Sequence, residues 1–196
     1  SRQGNLLSGN GMAGLFLNGQ GCSNNIVQGN LFGTDISGSA RLGNTLAGIV
    51  LHRAVGNLIG GTNSQTRNTI SGNRESGILL STNSFENEIA GNYIGVDVSG
   101  AKPLGNSLNG ISVQVASWNT ISGNVLSGNA VYGCEISQGS LGNLLESNLI
   151  GTDATGQFAI GNSNSGVRVD SPLNTIGGAD TDKGNVVSGN LRHGVF

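Results

Sequence analysis

Apolar residues along this chain fall in short, evenly spaced clusters, and between the clusters the same polar residue keeps returning. A segment such as Gly77-Ile78-Leu79-Leu80 alternates with a period of two, which puts Ile78 and Leu80 on one face of a strand and Leu79 on the other. Stretches such as Asn68–Asn73 are too short to form helices, so the pattern predicts many short strands joined by tight corners.

The corners carry a register. A full rung has three Asn, then a Gly four residues after the third, then a short apolar strand. The first, incomplete rung has Asn5, Asn10 and Gly14. The second has Asn25, Asn30, Asn44 and Gly48, and the third Asn57, Asn68, Asn73 and Gly77. The fourth has Asn87, Asn92, Asn106 and Gly110, and the fifth Asn119, Asn124, Asn129 and Gly133. Asn143, Asn148, Asn162 and Gly166 form the sixth; Asn174, Asn185, Asn190 and Gly194 form the seventh. Without its insertions the unit repeats about every twenty-three residues, a solenoid period.

Insertions follow a rule of their own. Rungs two, four and six carry nine extra residues between the second and third Asn, in loops that begin at Gly33, Gly95 and Gly151. Rungs three and seven carry six extra residues between the first and second Asn. The underlying unit is therefore a pair of rungs with a different loop on each member. Asn and Gly tolerate the left-handed backbone that sharp corners need. Stacking such rungs about 4.8 Å apart buries one strand face and lets identical Asn pair up the stack. A β-propeller is the main rival, but its blades need roughly forty residues per repeat.

Composition fits this reading. The chain has 196 residues with 35 Gly and 26 Asn, yet only 10% of residues are charged and 4% aromatic. Its supply of Val, Ile and Leu sets it apart from a disordered polar chain. A net charge of −2 offers no footprint for nucleic acid. No apolar run approaches the ~20 residues that span a bilayer, so neither nucleic acid nor membrane insertion is expected. The first residues contain no apolar stretch of the signal-peptide kind. Cys22 and Cys134 lie several rungs apart and are expected as free thiols.

The segment Gly91–Gly100 and the string Asn-Thr-Ile-Ser-Gly-Asn at 68–73 resemble the parallel β-helix repeats of the pectin-lyase-like superfamily. They are closest to those of long repetitive secreted or surface proteins of bacteria. The resemblance covers nearly the whole chain. It implies an all-β, single-stranded right-handed parallel β-helix of about six and a half rungs with Asn ladders at its corners. It also implies one domain over 1–196, expected to be a segment of a longer solenoid because no capping helix is visible at either end. For function it implies little, since the superfamily includes polysaccharide lyases, glycoside hydrolases, epimerases and adhesins.

Three places invite a site. Asp35, Asp97 and Asp153 occupy equivalent loop positions, and a turn-capping role is expected of them. One carboxylate per loop cannot supply the 6–8 oxygens of a calcium site. Along the outward face of the Gly-led strands the register aligns Phe16, Val50, Leu79, Ser112, Glu135, Arg168 and Phe196. A parallel row holds Asn18, His52, Ser81, Gln114, Ser137 and Asp170. Glu135, Arg168 and Asp170 are the candidates for polysaccharide chemistry, since acids near an Arg serve proton transfer and carboxylate neutralisation. Phe16, Val50 and Leu79 form an apolar stripe expected to be an interface with polysaccharide or another protein chain. His52 and His193 are far apart, and neither a metal nor a cofactor is expected. Tyr93, Trp118 and Tyr132 are too few and scattered for an obvious sugar-stacking platform, and most of them are read as corner packing.

The expectation is a non-catalytic structural, adhesin-like or scaffold segment of a secreted or cell-surface bacterial protein, because no rung stands out chemically. A carbohydrate-active enzyme or fragment of one is the alternative. A self-assembling fibre subunit, associating end to end through open strand edges, is another.

Overall fold

The computed structural model describes residues 4–196. Residues 1–3, part of the start in which no signal peptide is read, lie outside the described residues. The described chain contains nineteen strands of two to four residues and no helix, so none is long and apolar enough to cross a membrane.

The strands stack into three sheets, parallel throughout, of seven, six and six strands. One sheet collects the segments after the first Asn of each rung, such as Leu58–Gly60 and Thr120–Ser122. A second collects those after the second Asn, from Leu6–Leu7 through Val125–Leu126 to Val186–Val187. The third holds the longer strands after the Gly: Leu15–Asn18, Ile49–His52, Ile78–Ser81, Ile111–Gln114, Cys134–Ser137 and Val167–Val169. The chain is a right-handed parallel β-helix, in the register expected of its Asn positions.

The corner asparagines hold the rungs together. The side-chain oxygen of Asn124 accepts from both the backbone N–H and the side-chain amide of Asn92, at 2.9 and 3.0 Å. Asn124 in turn donates both to Asn148, at 2.9 and 3.0 Å. Its amide also donates to the Ile89 carbonyl at 2.8 Å. Equivalent bonds run from Asn25 to Asn57 and from Asn106 to Asn129. A buried amide is tolerable only when its groups are paired, and here each rung satisfies the one before it.

Inside, Ile49, Leu51, Ile59, Ile70, Ile78, Leu80, Ile89 and Ile121 are fully buried in one continuous core. The Gly that opens each long strand is a matter of space. A Cβ on Gly48 would meet the Ile70 methyl at 2.6 Å and the Gly77 carbonyl oxygen at 2.8 Å, so only glycine lets the corner close over the core.

The nine-residue insertions do more than decorate. Each folds into a small hairpin bridged at Thr34–Arg41, Val96–Pro103 or Thr152–Ala159. The hairpins of rungs two, four and six touch one another across the intervening rungs. Val98 N–H donates to the Gly38 carbonyl at 3.0 Å, and Ala154 N–H to that of Gly100 at 2.9 Å. Together they roof the outward face of the second sheet, where Leu31, Thr69 and Val125 are almost wholly buried. A small second core of Val96, Val125 and Ile160, with Tyr93, Leu149 and Ala154 packed against it, lies beneath the roof.

Candidate functional site

The long-strand sheet has no such roof. Strand pairing aligns Phe16 with Val50, Val50 with Leu79, Leu79 with Ser112, Ser112 with Glu135 and Glu135 with Arg168. The outward row is therefore as the sequence spacing describes it. Phe16 is 56% exposed and packs edge-on against His52, with ring centroids 6.3 Å apart; Val50 and Leu79 are half-buried. The structure thus sets Phe16, Val50 and Leu79 side by side on adjacent rungs.

Further along, the row turns polar and the corner after the third Asn rises beside it. Glu75, Leu108, Asn109, Val131 and Tyr132 from that corner line one side of a groove of about 430 Å³. Leu79, Ser112, Gln114, Glu135 and Arg168 from the strands line the other. A smaller hollow of about 220 Å³ continues past Tyr132 and Arg168 to Arg192, His193 and Phe196.

Glu135, Arg168 and Asp170 do meet. The Arg168 guanidinium lies 3.3 Å from Glu135 Oε1 and 2.5 Å from Asp170 Oδ2. The hydrogen bond that Arg168 donates to Asp170 holds the cation charged, raising its pKa despite some loss of solvent. The guanidinium also sits 5.6 Å from the centre of the Tyr132 ring.

Asn109 completes the network, and sequence spacing did not single it out. Its side-chain oxygen accepts from the Tyr132 backbone N–H at 3.1 Å, which fixes the orientation of the amide. The nitrogen then donates to Ser112 Oγ at 2.8 Å and to Glu135 Oε2 at 2.9 Å. Both Glu135 oxygens are therefore engaged, one by Arg168 and one by Asn109. The only available signal was Asn109 itself, an extra Asn three residues past the repeat position Asn106.

The loop aspartates take the turn-capping role expected of them. Asp35 accepts from the Ser39 and Ala40 N–H groups and the Ser37 hydroxyl, and its pKa is lowered to about 2, the Ala40 bond being the largest cause. Asp153 has the same geometry with Gln157, Phe158 and Thr155. Partial burial opposes its charge, but the Phe158 N–H and the Thr155 hydroxyl outweigh it and lower its pKa. Asp97 bonds Ser99, Ala101 and Lys102 likewise.

The aromatic residues divide. Tyr93 packs as expected, under the Arg67 guanidinium at 4.0 Å and against the loop at Gly100. Tyr132 also lines the groove, and Trp118, set against Gly142 of the next corner, is still 65% exposed. Each occupies a corner position where the side chain leaves the rung outward, which single-residue spacing does not reveal. Among the described residues no group of three or more His, Cys, Asp or Glu is placed to hold a metal ion.

No family model and no curated protein matches the sequence. Among solved structures, the chain is similar to a point mutant of the periplasmic alginate epimerase AlgG, with 17% identity and a TM-score of 0.50. The unmutated epimerase gives 18% identity and a TM-score of 0.48. In both cases 94% of this chain is covered, but only 35% of the other. At such identity the likeness is one of fold, and the chain is a parallel β-helix of the kind found in that epimerase.

Proposed function

We infer that this chain is a non-catalytic scaffold or adhesin-like segment of a secreted or cell-surface bacterial protein. The observation that carries the reading is the state of the groove carboxylates. Glu135 has both oxygens hydrogen-bonded, and Asp170 is tied to the same guanidinium. A general acid or base needs an oxygen free to face its substrate and a proton to exchange with it. Here one guanidinium is shared between two carboxylates, as in an ordinary partly exposed ion-pair cluster. Support also comes from the even stacking of rungs, which spreads stability along the solenoid.

A second reading, a carbohydrate-active enzyme, is favoured by the groove that runs past Glu135 and Arg168. Two acidic groups flanking one Arg at a groove wall are a usable start for polysaccharide cleavage. The similar solved structure is that of a periplasmic alginate epimerase, an activity of the same broad class in a compartment outside the cytoplasm.

A combined binding and cleavage screen against neutral and acidic polysaccharides separates the two. The scaffold reading expects no oligosaccharide release from any of them. Release that disappears in Glu135→Ala or Asp170→Ala would establish the enzyme instead.

A further inference from the structure

At the corner between the long-strand sheet and the first-Asn sheet, the residue just before the first Asn adopts the left-handed backbone. Asn24, Gly56, Glu86, Trp118, Gly142 and Leu173 occupy this position, with φ between 56° and 65°. Asn and Gly suit it; a bulky indole does not, and for such a residue a positive φ is an outlier. Trp118 is also 65% exposed, so its large apolar surface gains little from burial. Both costs fall on Trp118, as they do on the smaller Leu173 at the same corner position, with no return to the core, and backbone strain of this kind is found at functional sites.

The surroundings show what the indole does. It lies flat on the backbone of the next rung, because Gly142 has no side chain. A Cβ there would fall 2.4 Å from the ring. One ring face is thus supported and the residue's exposed surface is turned to solvent. The same corner carries a trough of about 460 Å³ lined by Gln20, Ser23, Asn24, Val55, Phe85 and Glu86. Strand bridges align Ser23, Val55, Phe85 and Ser117, which places Trp118 on the rung next to the trough.

We propose that Trp118 and this trough form a binding site for a neutral saccharide. A pyranose presents a flat face of C–H groups that packs on an aromatic ring, and hydroxyls around its rim that need donors and acceptors. Phe85 in the trough and Trp118 on the adjacent rung supply the apolar surface; Glu86, Asn24, Gln20 and Ser23 supply the polar groups. The lining contains one carboxylate and no cation, which disfavours an anionic sugar. A quaternary-ammonium ligand is held by an enclosing aromatic cage, and this ring stands open. The site is on a different corner from the Glu135 groove and rests on the binding role only, so it stands or falls separately from the absence of catalysis.

Trp118 is the only tryptophan in the chain, which makes it the reporter. Titration with neutral cello-, xylo- and manno-oligosaccharides should give a saturable blue shift of its emission and protect it from iodide quenching. Trp118→Gly suits the corner backbone, so its thermal midpoint should match or exceed the parent's while calorimetry shows binding lost at least tenfold. Glu86→Gln should weaken binding several-fold, and Arg168→Ala should titrate like the parent. Unchanged emission with every neutral oligosaccharide would overturn the proposal, as would binding that survives in Trp118→Gly. A response to tetramethylammonium or a lysine-rich peptide alone would also overturn it. Cleavage products in the same samples would count against the non-catalytic reading and not against this site.

Discussion

Two outward faces of one solenoid meet opposite fates. On the second sheet, three stacked hairpins from the same chain cover the outward row, and Leu31 is fully buried. On the long-strand sheet the equivalent row holds Leu79 half-buried and Phe16 mostly exposed, and further along it becomes a groove. Both strands have the same pleat and the same Asn corners. What differs is whether nine residues were inserted next to the face. A covered face contributes to the fold, and a bare one is left free to meet something else.

Two matched leucines offer the largest test of this difference. Leu31→Ala removes a buried side chain beneath the roof and should cost about 2–5 kcal/mol. Leu79→Ala on the bare sheet should cost about 1 kcal/mol or less. Equal losses in denaturant melts would mean that the two faces are equally covered in solution.

Asn109→Ala comes next. It strips the Tyr132 N–H and Glu135 of partners, and an orphaned buried group costs about 1–3 kcal/mol. Glu135→Gln, which leaves Arg168 paired with Asp170, should cost about 1 kcal/mol or less. If Glu135→Gln proved the more damaging, the ion pair rather than the amide would be organising the groove.

Strong acid should loosen the roof hairpins while the apolar end of the bare sheet stays protected. Asp35 and Asp153 have lower pKa values in the folded loops, so both are more readily ionised folded than unfolded. Their contribution is complete above the ordinary carboxylate range near pH 4 and is lost as pH falls through about 2 for Asp35. Hydrogen exchange at the Ala40 and Phe158 amides should therefore accelerate in that window, while the Val50 amide keeps its protection. The smallest effect is chemical. Burial pushes the Cys134 thiol up to about 12, so it should resist alkylation until the chain unfolds, whereas half-buried Cys22 should label in the native state.

Much of this was legible along the chain. The Asn and Gly positions are strictly local consequences of the corners, and a residue that must satisfy a corner recurs wherever the corner recurs. For that reason the register also placed Glu135 beside Arg168 and Phe16 beside Val50, because strands in a stacked solenoid pair at equal offsets from their corners. Asn109 and Tyr132 were harder to see. They belong to the segment between the third Asn and the Gly, where the repeat constrains the backbone but not the side chain.

The amino-acid sequence by itself determined the rung, its period, the pairing register and the inward-facing core, since each follows from side-chain size and backbone freedom at one position. Only the tertiary structure decided that loops two rungs apart would touch and roof a sheet, and that Asn109 would turn its amide to Glu135. It alone laid Trp118 flat on Gly142. Those outcomes depend on which side chains come within a few ångströms across different rungs, and a one-dimensional pattern does not hold that distance.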